Sequence, residues 1–259
     1  MRVVYFLQVQ IYFLLIICSA CESAETDKAK TDKIIQEPQS KISTKYSKDF
    51  LLGKFDYRTH SDFVLVSEKW SDKEIYLQKD TYLAFEKMAN AAAKDGIPLV
   101  ILSGTRNFSE QKVIWDRKWN NLKTTTKDEI GITLKILSSS SMPSTSRHHW
   151  GTDFDVNSVE DSYFLSGMGK EVYSWLSSNA HNYGFCQVYD NKKETKRTGY
   201  EVEKWHWSYM PISTLILDAY INQIQYKDIN GFQGDELASN SSVKIIENFI
   251  LGISKSCSK

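Results

Sequence analysis

Neither sign of charge is in excess in this chain: 32 Lys and Arg stand against 32 Asp and Glu, for a formal net charge of zero. Nucleic acids and anionic membrane surfaces select a basic footprint, so neither is expected as the main partner. Long apolar runs are lacking as well. The stretch from Ile11 to Cys18 is too short to cross a hydrocarbon layer of roughly 30 Å, and no later stretch approaches about 20 apolar residues. Cysteine is scarce, with four in 259 residues, and their spacing is neither that of a zinc knot nor that of a disulfide framework. No internal repeat is visible, which excludes stacked-repeat architectures.

What is present is an ordinary globular composition, 41% apolar and 25% charged, enough for one substantial core with appendages. The chain opens with Arg2, the short apolar run, then Ser19 and Ala20 ahead of Cys21. That pattern is an export signal. Small residues directly before a cysteine resemble a lipoprotein signal, so residues 1–20 are expected to be removed and Cys21 to carry a lipid that anchors the chain to a membrane in the cell envelope. A plain secretory signal with incidental cysteines is the alternative. Residues 21–45 are polar and charge-mixed, a tether with a reach on the order of 25 to 30 Å. Once Cys18 is removed and Cys21 acylated, Cys186 and Cys257 remain in a compartment where disulfides form; a bridge between them is left open by the sequence.

Residues 46–210 carry the main domain's signals, and 211–259 a C-terminal extension of two helices, from ISTLILDAYINQI and VKIIENFILGI. The stretch 81–94 sets Leu83, Phe85, Met88, Ala92 and Ala93 near helical spacing, and LVILS after Ile97-Pro98 reads as a short buried strand. A helix is expected to start near Ser109, capped by its hydroxyl. After the serine-rich loop SSSSMPSTS, FDVNS reads as a strand, and 167–182 as a helix with Val172, Trp175 and Leu176 on one face.

Chemistry concentrates in SRHHWGTDFD at 146–155 and EKWHW at 203–207. His148, Asp155 and His206 form a two-imidazole, one-carboxylate set that suits Zn2+ and leaves a fourth position for water, as catalytic rather than structural zinc requires. Glu203, three residues before His206, is the candidate proton acceptor. The aromatic run Trp205, Trp207, Tyr209 argues for a strand, in which Glu203 and His206 would face opposite sides, so a bulge or tight turn is predicted between Glu203 and Trp205. His149 and Trp150 are read as rim or packing residues, His181 as a helix-end residue, His60 as part of a polar loop, and Trp205 and Trp207 as core and cleft wall.

Ser146, His148, Gly151 and Asp155 fit S-x-H-x-x-G-x-x-x-D, Glu203 to His206 fit E-x-W-H, and TGY at 198–200 and SGTR at 103–106 complete four segments in order. Over roughly residues 76–210 the chain thereby resembles the VanY-type D-alanyl-D-alanine carboxypeptidases. The resemblance implies an α+β fold of the hedgehog/DD-peptidase kind, a small antiparallel sheet carrying the zinc with helices packed on one side. It implies zinc on His148, Asp155 and His206, Glu203 as catalytic base, Arg106 at the oxyanion or a substrate carboxylate, and Ser146 orienting substrate. A monomer acting on peptidoglycan peptides is expected, removing terminal D-alanine. The rivals are L,D-cleavage or endopeptidase action with the same zinc, and a non-catalytic wall-binding lipoprotein, against which Glu203 argues. Two positions depart from the family: Asp153 stands where a small residue is usual, and Thr105 where an aromatic is common. In a strand Asp153 would share a face with Asp155, either repelling substrate carboxylates or supporting the site.

Overall fold

Strict alternation of side chains along short strands builds the layer that carries the site. The computed structural model describes residues 45–257; the expected signal and lipidated cysteine, and all but the last residue of the expected tether, lie outside them. Two strands, β1 (Phe63–Leu65) and β2 (Tyr76–Gln78), pair antiparallel with Phe63 opposite Gln78. Four more, β3 (Ile101–Ser103), β4 (Asp153–Val156), β5 (Phe185–Gln187) and β6 (His206–Tyr209), form an antiparallel sheet in the order β3-β4-β6-β5. The longer helices are α1 (Lys79–Lys94), α2 (Phe108–Lys123), α3 (Glu129–Leu137), α4 (Gly167–Asn179) and α5 (Met210–Gln223). The result is the expected α+β fold. Among the described residues no helix is long and apolar enough to cross a membrane.

In β4 and β6 successive side chains point to opposite faces of the sheet. Phe154, Val156 and Trp207 go to one face, where they join Phe85 and Met88 of α1 and Val172 and Leu176 of α4 in the core. Phe154 sits between Phe85 and Phe185 with both ring centroids at 5.2 Å, edge to face. Full burial of such a side chain stabilises by about 2 to 3 kcal/mol. That packing fixes the register, and the register fixes the other face: Asp153 stands opposite Ser208, and Asp155 opposite His206. A slip of one residue would send the carboxylates into the core, which is why the apolar partners specify the polar site.

Several local expectations are corrected. Asn107, not Ser109, caps α2: its side chain accepts from the Glu110 N–H while the Glu110 carboxylate accepts from the Asn107 N–H, a reciprocal box that Ser109 is placed too late to form. The second C-terminal apolar run is not a regular helix but a single π-helical turn, Ile246–Ile250. Lys244 before it has φ +45°, and the chain then turns to lay Ile253 on the domain and to donate the Ser254 N–H to the Val188 carbonyl at 2.8 Å. Helix α5 forms as expected, and its Tyr220 hydroxyl donates to the Ser144 carbonyl at 2.9 Å, bracing the loop that leads into the site. Cys186 on β5 is joined to Cys257 in a disulfide with Cα atoms 5.8 Å apart.

Candidate active site

The loop before β4 is shaped to hand His148 to the polar face of the sheet. Residues Arg147–Trp150 make one 3-10 turn that ends on Gly151 at φ +70°, a left-handed conformation that L side chains disfavour. A Cβ there would also meet the Phe63 ring at 2.3 Å, so glycine is required twice over. The turn is stapled to the segment after β3. The Arg106 N–H donates to the His148 carbonyl at 3.2 Å, and His149 Nδ1 lies 2.7 Å from the Arg106 carbonyl. His149 Nε2 accepts from the Ser144 N–H at 3.1 Å, so Nδ1 carries the ring's proton. The His149 ring is fully buried, and burial drives its pKa down to about 3, leaving a neutral strut of the packing kind expected from the sequence.

One nitrogen or oxygen from each of His148, Asp155 and His206 lies within 4.8 Å of the others. His148 Nε2 is 3.6 Å from Asp155 Oδ2, and His206 Nδ1 is 3.4 Å from Asp155 Oδ1. Donors held about 2.05 Å from a tetrahedral ion stand roughly 3.3 Å apart, so the spacing fits zinc. The remaining nitrogens are engaged elsewhere: His148 Nδ1 is 2.7 Å from the Gly104 carbonyl and His206 Nε2 is 3.1 Å from Asp153 Oδ1. Each ring therefore turns its lone pair toward the third ligand. Among the described residues Asp155 Oδ1 is buried with no hydrogen-bond partner, an orphan acceptor of the sort a cation satisfies. Charge tells the same story. Burial opposes protonation of His206, yet Asp153 and Asp155 outweigh it and carry the imidazole up to about 9, while His148 is pushed down by burial and by Arg106. A site that draws a proton between two carboxylates is one that favours a cation.

Glu203 arrives by the predicted break in the strand. A turn through Lys204 and Trp205 closes with the His206 N–H on the Glu203 carbonyl at 3.4 Å, and Glu203 Oε2 then lies 3.4 Å from His206 Nδ1. Burial raises the Glu203 pKa from 4.5 to about 7; His206 and Arg106 pull it down, and Asp155 pushes it up. Arg106 donates to Gln111 Oε1 at 3.1 Å and to the Ser103 hydroxyl, and among the described residues it has no carboxylate partner within bonding reach. Burial lowers its pKa while Asp155 and Glu203 resist. Arg106, His148, Asp155, Glu203 and His206 line a cavity of about 560 Å³ together with Lys118, Ser139–Ser141, Trp205 and Tyr200.

Every site residue predicted from sequence but one lines this cavity. Ser146 is 1% exposed, its hydroxyl unpartnered, and the cavity is lined by Arg147 and His148 beside it rather than by Ser146 itself. Thr105 turns away too, its hydroxyl donating to the Tyr76 carbonyl at 2.6 Å. Lys118 adds a residue the sequence reading did not name: among the described residues its ammonium bonds the hydroxyls of Ser139 and Ser140, at 3.2 and 2.6 Å. A second cavity, of about 590 Å³, holds His181 and Cys186 but none of the candidate ligands.

The family model for VanY, D-alanyl-D-alanine carboxypeptidase, matches residues 74–212, more than half of the sequence. The chain belongs to the VanY D-alanyl-D-alanine carboxypeptidase family. Relatives in this family include YodJ of Bacillus subtilis (strain 168), a carboxypeptidase by name, 30% identical over 182 residues that make 68% of this chain and 62% of YodJ. A D-alanyl-D-alanine carboxypeptidase of Enterococcus faecalis (strain ATCC 700802 / V583) is 30% identical over 145 residues, 53% of this chain and 52% of that protein. The chain thus spans between half and two thirds of the length of these VanY relatives. Among solved structures, the LdcB LD-carboxypeptidase superposes with TM-score 0.49 at 25% identity, covering 67% of this chain and 81% of that one.

Proposed function

We propose that this chain is a zinc-dependent D,D-carboxypeptidase that removes the terminal D-alanine from peptidoglycan stem peptides, exported and held at the cell envelope by a lipid on Cys21. The observation that carries the reading is the convergence of Glu203 on the His148, Asp155 and His206 triad at one wall of a cavity. Membership of the D-alanyl-D-alanine carboxypeptidase family supports a D-alanyl peptide as the substrate. The cations Arg106 and Lys118, which among the described residues make no salt bridge to a carboxylate, favour a substrate that ends in a carboxylate over an internal bond. The disulfide and the export pattern of residues 1–21 both suit an oxidising compartment outside the cytoplasm.

His148, Asp155 and His206 would hold zinc, which supplies Lewis-acid polarisation and acidifies water toward a pKa of about 7. Glu203, poised near neutral pH, takes the proton of the attacking water as its oxygen bonds the carbonyl carbon. The Arg106 guanidinium donates to the oxygen on which negative charge collects. Glu203 then delivers the proton to the departing nitrogen as the carbon–nitrogen bond breaks, so that free alanine leaves with its amine restored. Lys118 anchors the terminal carboxylate across the cavity. The test is mass spectrometry of defined muropeptides incubated with zinc-loaded and chelated protein. Free alanine released only with metal, and no cross-link cut, supports the reading; cleavage of cross-links or of the L,D bond selects the rivals, and no metal-dependent product rejects all three.

A further inference from the structure

Asp153 is entirely buried and lies on the same face of β4 as Asp155. The His206 imidazole is clasped between the two, Nδ1 toward Asp155 Oδ1 at 3.4 Å and Nε2 toward Asp153 Oδ1 at 3.1 Å. Asp153 is itself held from every side. Arg147 Nε donates to Oδ1 at 2.8 Å, the Ser208 hydroxyl to Oδ2 at 2.9 Å, and the Thr152 hydroxyl to Oδ2 at 2.6 Å. Arg147 Nη2 closes the ring by donating to the Ser208 oxygen at 2.7 Å. Arg147 is 3% exposed, so both members of the ion pair are out of water. Burying two charges costs several kcal/mol each unless geometry and further hydrogen bonds offset it, and here every Asp153 lone-pair direction is used.

That arrangement separates the two roles the sequence left open for Asp153. Its carboxylate does not face the cavity, and Arg147 neutralises it, so it repels no substrate. We propose that Asp153, oriented by Arg147, Ser208 and Thr152, is a positioning residue that fixes the His206 ring and keeps its proton on Nε2, so that Nδ1 presents its lone pair to the metal. The inference rests on the zinc reading above and gives the buried carboxylate of Asp153 a role distinct from that of Asp155. A partner on the far nitrogen of a ligating histidine sets its tautomer and rotation and raises its basicity, and removing one typically weakens metal binding by about 10 to 100-fold.

The experiment uses zinc-loaded protein labelled with 15N-histidine, together with the Asp153→Asn and Asp153→Ala variants and chelator competition for zinc affinity. In the wild type His206 should show a protonated Nε2 with a slowly exchanging hydrogen and a metal-shifted Nδ1. Both variants should bind zinc at least about 10-fold more weakly, Asn less severely than Ala, with faster exchange of that hydrogen. Folded variants that hold zinc within twofold of the wild type would overturn the proposal, because a carboxylate that merely braces the strand would lower the melting temperature alone. The wild-type spectrum decides even if neither variant folds: metal on Nε2 and the proton on Nδ1 would sink it. Wild type that binds no zinc at all would instead remove the underlying metal reading.

Discussion

Replacing Glu203 with glutamine should make the metal-free protein more stable while abolishing its chemistry, and the size of the gain follows from the site. The Glu203 side chain is 13% exposed, and burial raises its pKa from 4.5 to about 7. Between those values the folded state keeps a proton that the unfolded state has released, so stability falls as pH rises across that window and is flat above it. At about 1.36 kcal/mol per pH unit the wild type loses roughly 3 kcal/mol that a glutamine, always neutral, retains. Chelated wild type and Glu203→Gln should therefore melt together near pH 4.5 and separate by about 6 to 12 °C at pH 8. Urea denaturation or differential scanning calorimetry at both pH values measures the gap. Zinc-loaded Glu203→Gln should meanwhile bind metal but lose about 10² to 10⁴ in turnover. Equal stability at pH 8 would show that the carboxylate is hydrated in the folded state, and the argument that burial tunes it as a base would fail.

Other outcomes follow from named contacts. Lys118→Met should raise KM for a peptide with a free C-terminus by about 10 to 100-fold, the worth of one charge-assisted contact, with little change for the amidated peptide; equal effects on both would remove Lys118 from carboxylate binding. Gly151→Ala forces a side chain into a left-handed residue against the Phe63 ring, so at least about 1 to 2 kcal/mol of stability should go, with zinc affinity falling as the turn that carries His148 shifts; calorimetry and chelator competition read both. The Cys186–Cys257 bridge closes a loop with a sequence separation of 71, for which chain entropy gives about 4 kcal/mol. Cys257→Ser should accordingly lower the melting temperature by roughly 8 to 16 °C, and an unchanged value would mean the ends are held without it.

The site was legible from sequence because its chemistry is written in short local motifs: the triad, Glu203 and the turn before His206 come together as the spacing suggested, and Arg106, implied by the resemblance, lines the same cavity. Helix α1 was readable by its period, and strands β3 and β4 as short β-prone runs. What escaped is set by distance in space. Helix α3 is short and rich in β-branched residues, with Gly131 inside it, so its pattern of Ile132, Ile136 and Leu137 is too brief to declare a period. The pair β1 and β2 has three residues on each strand. Arg147 sits inside the motif, but only its meeting with Asp153 and Ser208 gives it meaning, and Lys118 reaches the cavity from a helix thirty residues before His148. The run 243–253 reads as a helix because its apolar residues are dense, yet Val243, Ile245, Ile250 and Ile253 are buried by an irregular path along the domain.

The strut at His149 has a lasting effect on how this scaffold can change. By joining the Arg106 carbonyl to the Ser144 amide through an uncharged ring, it welds the floor of the cleft into one piece. The serines at 139–141 are tied to the same machinery, because Gln111 links Arg106 to the Ser141 carbonyl and the Ser139 and Ser140 hydroxyls hold Lys118, so drift in substrate preference has most room at the half-exposed Val159.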